Sequence, residues 1–190
     1  IFPAKQGSYL LGLMVKLGWF SPTLVTLDLA LMFEFGTRKR LIVLGRIQAL
    51  LPSRDNALIR LNLDSLGLID FDESKVEVDA VLVDSRLAHK FVLTGGMALR
   101  ARLKGPGAGF VLAIGGFNPN FKPPAGMPKV ERIAIALSSG DNPRLTCEAY
   151  YAITSNTIQY GARAELYAAA FGFSVHGDIG YDVLVQLAPF

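Results

Sequence analysis

Apolar residues occupy every second position along most of this chain. The clearest run consists of Val25, Leu27, Leu29, Leu31, Phe33 and Phe35. Two further runs comprise Phe91, Leu93, Met97, Leu99 and Leu103, and Phe171, Phe173, Val175, Ile179, Tyr181, Val183, Val185 and Leu187. Because side chains of a β-strand point alternately to opposite faces, a period of two places the apolar residues on one face. The pattern predicts an all-β fold, an antiparallel meander of long strands with one apolar face.

The alternating runs predict about eleven strands, separated by turn-forming residues. They cover residues 8–18, 23–35, 40–51, 57–70, 75–84, 89–104, 109–117, 130–138, 143–154, 157–170 and 172–187. Short connections rich in glycine, proline and aspartate, such as Asp84-Ser85, favour hairpins over helical crossovers. Segments 9–20 and 162–170 also permit a helix, but their alternation favours strands. Gly95 and Gly177 interrupt apolar runs and indicate curvature, so we expect a curved sheet that is barrel-like or forms a groove or sandwich.

A single β-rich domain spanning residues 1–190 is the expected organisation, since this length suits one sizeable core. Residues 115–128 form a proline-rich loop, which is the best candidate for a sub-boundary. Loops of this length serve as lids or as corners, and we favour a corner at which the meander changes sheets. The abrupt beginning at Ile1 and end at Phe190 predict a fragment of a larger protein.

Composition narrows the classes of partner. Hydrophobic residues make up 51% and charged residues 18% of the chain, with a net charge of +3. No apolar run reaches the ~18 residues of a membrane-spanning helix. The basic residues are scattered rather than gathered in a stripe, so we expect no nucleic-acid partner. Cys147 is the single cysteine, which fits either redox environment, and the localisation stays unknown.

Chemistry-bearing residues do not converge in the sequence. His176, Asp178 and Asp182 share one face of the last predicted strand, but a metal site needs more converging ligands. The chain contains no Gly-x-Ser-x-Gly or His-Glu-x-x-His motif. We therefore predict no catalytic residue, no metal site, no cofactor and no enzymatic activity.

The C-terminal part of the chain carries three distinctive segments. They read GGFNPNFKPP at 115–124, YYAITSNTIQYGAR at 150–163 and GFSVHGDIGYDVLVQLAPF at 172–190. This region, about 115–190, resembles a domain-of-unknown-function family found in very large β-rich microbial proteins. The resemblance implies a module of a larger, non-enzymatic protein and transfers no residue role.

Two functions suit a large apolar face. The first is a groove that binds an apolar ligand such as lipid, because acyl chains can cover a greasy sheet. Its lining would consist of Leu27, Leu29, Leu31, Phe33, Phe91, Leu93, Met97, Leu99, Val175, Ile179 and Val183. The second is a structural or assembly module, whose face is covered by its own second sheet, by the remainder of a larger polypeptide or by another copy in a homo-oligomer. An outer-membrane β-barrel is the alternative, and an enzyme ranks below it.

Overall fold

A computed structural model describes residues 6–53, 55–138 and 142–187. Strands hold 67% of these residues, and the described ranges contain no helix. Accordingly, nothing helical in them is long and apolar enough to cross a membrane. The strands are β1 (Ser8–Trp19), β2 (Val25–Gly36), β3 (Arg40–Leu51), β4 (Ile59–Asp70), β5 (Lys75–Leu82), β6 (Ser85–Leu87), β7 (Phe91–Thr94), β8 (Gly96–Arg102), β9 (Gly109–Ile114), β10 (Ile133–Ala136), β11 (Arg144–Thr154), β12 (Thr157–Ala170) and β13 (Phe173–Gln186).

All thirteen strands belong to one antiparallel sheet, which confirms the predicted all-β meander. One path of pairings runs from β1 through β2, β3, β4, β5, β8, β9 and β11 to β12 and β13. A second path leads from β4 through β6, β7 and β10 to β11, so the pairings curve back in a ring. Within the described residues β1 pairs only with β2 and β13 only with β12, so the sheet is not a regular barrel.

The ring of pairings arises because three positions of the sheet each hold two strands. The first pair is β5 and β6, which both pair with the same edge of β4. The second is β7 and β8, which are joined directly through Gly95. The third is β9 and β10, which both pair with β11 on one side and with β8 or β7 on the other. Thirteen strands with three such pairs give ten strand positions. The order of these positions follows the chain, as expected of a meander.

The junction of β5 and β6 is a β-bulge. Leu63 of β4 pairs with Leu82 of β5. If this register continued, Ile59 would pair with Arg86. It pairs with Leu87 instead, so one extra residue has been inserted between β5 and β6. Ser85 is fully buried there; the Asn62 N–H donates to its Oγ at 2.9 Å, and its hydroxyl lies 3.2 Å from the Asn62 carbonyl. The prediction of a turn at Asp84-Ser85 is therefore wrong, because the Ser85 hydroxyl takes the place of a backbone group in the ladder.

The predicted strand 89–104 divides at Gly95 into β7 and β8. Gly95 has a φ of +146°, and a Cβ at this position would lie 2.8 Å from the Ile133 Cα and 3.1 Å from the Arg132 carbonyl oxygen. Glycine is therefore required by close approach of the chain where it enters β10. Gly177, the other glycine predicted to mark curvature, has nothing within 4 Å of such a Cβ and no positive φ.

Residues 115–132, here called the 115–132 loop, leave and re-enter the sheet at a single strand position. β9 precedes the loop and β10 follows it, and both pair with β11 on one side and with β8 or β7 on the other. The expectation of a corner between two sheets is wrong, since all the strands form one sheet. The proposed sub-boundary at 115–128 lies inside this strand position.

Replacement of Gly95 by alanine is expected to lower the free energy of unfolding by more than about 2 kcal/mol, because the new methyl group meets backbone atoms at a strained φ. Gly177→Ala is the matched control, and its effect should stay within about 1 kcal/mol. Urea denaturation of both variants measures the difference. Equal losses for the two variants would contradict the close approach at Gly95.

Candidate functional site

Hydrogen-bonded register places one uncharged surface across all ten strand positions, here called the apolar face. One row of cross-strand neighbours consists of Val15, Leu29, Gly45, Ser65, Ala80, Met97, Ile114, Tyr151, Tyr160 and Val183. The next row consists of Leu13, Leu31, Val43, Gly67, Val78, Leu99, Leu112, Ile153, Ile158 and Val185. Neither row contains a charged residue.

The eleven residues predicted to line a groove all lie on the apolar face. Leu27, Leu29, Leu31 and Phe33 belong to β2. Phe91, Leu93, Met97 and Leu99 belong to β7 and β8, and Val175, Ile179 and Val183 to β13. The three groups are separated by four strand positions each, about 19 Å along the sheet. Most of them are therefore spread over one broad surface, although Leu93 and Ile179 line the same cavity.

The larger side chains of this surface are half-buried or exposed. Buried apolar side chains in the described residues are limited to alanines and Tyr150; no leucine, isoleucine, valine, phenylalanine or methionine is buried. Ile179 is 76% exposed. The total accessible surface is 12,482 Å², whereas a compact monomer of this mass has about 8,900 Å². The described residues thus form no core of large aliphatic side chains.

A shallow cavity of about 460 Å³ lies on the apolar face over β7 and β10–β13. Its wall includes Leu93, Ile133, Ile135, Cys147 and Ile179. Cys147 is half-buried and belongs to this wall. The cavity is wide enough for a small apolar ligand.

The opposite surface, here called the polar face, carries cross-strand ion pairs. Lys16, Asp28, Arg46 and Asp64 are successive neighbours on β1–β4 and alternate in charge. The Lys16 Nζ lies 2.9 Å from Asp28 Oδ1, and Arg46 donates two hydrogen bonds of 2.6 Å to the Asp64 carboxylate. These bonds hold the pKa of Asp64 below its ordinary value. Opposite charges on neighbouring strands stabilise the pairing of those strands.

The 115–132 loop lies over the polar face of the central strands. The backbone N–H of Asn118 donates to Oε1 of Gln159, and Gln159 donates to the Thr157 hydroxyl. Gln159 is fully buried, as are its cross-strand neighbours Ala152 and Ala113. The alternation of apolar residues contains no signal for this network, because Gln159 occupies an ordinary polar position of its strand.

Arg132 fastens the end of the loop. Its guanidinium lies 4.0 Å from the centre of the Tyr150 ring and donates to the carbonyls of Gly115 and Phe117. Phe117 stacks on Phe121 with ring centres 5.4 Å apart. The loop is thus held by a cation–π contact, by backbone acceptors and by its own two aromatic anchors.

Tyr150 links the loop to the end of the sheet. Its hydroxyl donates to Asp182 Oδ1 at 2.7 Å across Gly161, where a Cβ would lie 2.5 Å from the Tyr150 ring. Burial raises the pKa of Tyr150 to about 12, and the hydrogen bond to Asp182 contributes in the same direction.

His176, Asp178 and Asp182 do share the polar face of β13, but the two carboxylates have protein partners. Asp178 receives a hydrogen bond of 3.1 Å from Arg163, and Asp182 accepts from Tyr150. In the described ranges no three His, Cys, Asp or Glu side chains form a group that could hold a metal ion. The arrangement is therefore a set of cross-strand contacts rather than an acid–base site.

Tyr150→Phe is expected to flatten the dependence of stability on pH in alkali. The pKa of Tyr150 is raised from 10.0 to about 12, so the wild-type free energy of unfolding is complete below pH 10.0 and falls as the pH rises towards about 12. Phenylalanine removes this contribution. The exposed Tyr160 provides the control variant Tyr160→Phe. Urea denaturation across this pH range should show a smaller fall for Tyr150→Phe alone; identical slopes in both variants would refute the assignment.

The comparisons with known proteins give one match. A family model described as "Family of unknown function (DUF6603)" covers residues 1–190, so the similarity extends beyond the C-terminal region to the whole chain. No curated protein and no solved structure matches the chain significantly.

Proposed function

Since the chain belongs to the family of unknown function DUF6603, whose description names no reaction, we propose that it is a non-catalytic β-sheet module with a structural or assembly role. The partner that covers its apolar face is the remainder of a very large β-rich polypeptide or another copy of the chain. The observation that carries this proposal is the partial exposure of the large aliphatic side chains across the apolar face, with no leucine, isoleucine or valine buried among the described residues.

The accessible area supports a role in association. The chain exposes 12,482 Å², roughly 3,600 Å² more than a compact monomer of its mass. A standard protein–protein interface buries about 1,600 Å² in total. Covering the apolar face would therefore supply an interface of ordinary size and replace the missing core.

The contrast between the two faces supports the choice of surface. The polar face carries cross-strand ion pairs, such as Arg46 with Asp64 and, at 2.8 Å, Arg100 with Asp79. The two central rows of the apolar face carry no charge that a partner would have to desolvate. Association through the apolar face therefore gains hydrophobic free energy without the cost of burying charges.

An apolar ligand such as lipid is the second candidate, favoured by the cavity of about 460 Å³ over β7 and β10–β13. Its wall is built from Leu93, Ile133, Ile135 and Ile179, side chains that suit an acyl chain. In this case a lipid molecule, rather than another protein surface, covers part of the apolar face.

Ile47→Glu is expected to weaken self-association of the chain by about tenfold, because burying the Ile47 side chain contributes at least about 1.5 kcal/mol. If the chain is monomeric, the same variant should weaken binding of a dye for apolar surfaces by a similar factor. The control is Leu44→Glu in the same strand, since Leu44 is 42% and Ile47 40% exposed but they lie on opposite faces. Sedimentation equilibrium and dye titration measure the two constants. Equal effects of the two variants would rule out the apolar face as the binding surface.

Lipid in the cavity is tested by mass spectrometry of organic extracts of the purified chain. Ala164→Trp fills the cavity wall and should remove most co-purifying lipid. Ala168→Trp adds the same side chain on the same face of β12 but outside the cavity, and should leave the lipid content unchanged. Clean extracts from a stable wild-type monomer would eliminate the lipid hypothesis.

A further inference from the structure

We propose that β13 of one copy pairs antiparallel with β1 of a second copy, so that copies of this chain join edge to edge into a wider sheet. The inference deepens the assembly role proposed above by naming a partner for the edges of the sheet, and it is argued from the edges and not from the apolar face.

Both outer strands lack the features that normally protect a sheet edge. β1 has 12 residues and β13 has 14, and neither contains proline or a break in its ladder. The side chain of Met14 on β1 is 84% exposed, and that of Ile179 on β13 is 76% exposed. Natural edge strands are usually short, bulged, proline-containing or rich in lysine. Among the described residues no strand pairs with the outer edge of β1 or β13, so the backbone groups there can pair with another strand.

The direction of the two edges suits pairing between copies placed side by side. Every pairing in the sheet is antiparallel, and the sheet has an even number of strand positions, so β1 and β13 run in opposite directions. When a second copy is placed beside the first in the same orientation, its β1 meets β13 antiparallel. The apolar faces of the two copies then lie on the same side of the combined sheet.

The proposed register continues the cross-strand rows of one copy into the next, without a shift along the strands. Val15 and Val183 end one row on the apolar face, so they become neighbours across the junction. Continuing the same register on the polar face brings Met14 opposite Leu184. Apolar residues thus meet apolar residues on both sides of the new pair, as cross-strand pairing favours.

Charge complementarity supports the same register. Lys16 is the one charged residue of β1, and the register brings it opposite Asp182 of β13. Asp182 accepts the Tyr150 hydroxyl but has no ion pair among the described residues. The junction would continue the alternation of charge that begins with Lys16, Asp28 and Arg46.

Disulfide trapping tests the junction in the full chain with Cys147→Ser. The variant with Val15→Cys and Val183→Cys places cysteines opposite one another, at a separation that a disulfide spans. The control combines Val15→Cys with Val175→Cys, which lies eight residues away on the same face of β13. Under mild oxidation we expect a series of covalent multimers from the first variant and about tenfold less from the control. Equal urea denaturation curves of the two reduced variants exclude a difference in folding.

Equal cross-linking of the two variants, or dimers formed by Val15→Cys alone, would overturn the proposal, the latter because β1 would pair with itself. Lys16→Glu should lower the cross-linking yield about fivefold through repulsion of Asp182, and an unchanged yield would refute the register. Ile47 lies on the inner strand β3, so Ile47→Glu should leave cross-linking intact. If Ile47→Glu has no effect on association but the cross-linking persists, the apolar-face proposal fails and the junction stands. If Ile47→Glu weakens association but the cross-linking is absent, the junction fails and the apolar-face proposal stands.

Discussion

The structure depends on keeping the apolar side chains of ten strand positions on one face of the sheet. A shift of one residue would move the apolar side chains of a strand to the opposite face. The bulge at Ser85 shows how strictly this is maintained, because it inserts one residue and yet Leu87 and Phe91 still lie on the apolar face beside Ile59. The two faces of the sheet differ because the register is preserved on both sides of each irregularity.

In place of large aliphatic side chains, the described residues bury polar ones. Gln159 and Ser85 are the largest fully buried side chains, and each is held by hydrogen bonds. Ion pairs between neighbouring strands add specificity for the register rather than much free energy, since exposed pairs contribute little. The described residues are therefore held together by backbone pairing and a few buried polar networks, while their large aliphatic side chains are at most partly buried.

Most of the fold could be predicted because its main signal is a period of two. Strand positions, antiparallel order and the membership of Leu29, Met97 and Val183 in one face all follow from alternation and turn residues. The bulge at Ser85 could not be predicted, because a serine hydroxyl that replaces a backbone group looks like a turn residue in sequence. The return of the 115–132 loop to its own strand position was also hidden, since it depends on contacts of Arg132 with distant carbonyls. Of the candidate surface, the sequence predicted the residues but not their separation into three groups along the sheet.

The meander order has a consequence for how such a chain folds and changes length. Apart from the pairings around β6, β7 and β10, each strand contacts the strand before it and the strand after it in the sequence. Pairing between neighbours in sequence favours stepwise growth from hairpins, with modest loop-closure entropy at each step. Because the terminal hairpins contact only one neighbour, a lineage could gain or lose a hairpin at either end while the central strands keep their contacts. The sheet thus resembles repeat proteins in its energetics, since its stability is close to a sum of nearest-neighbour terms.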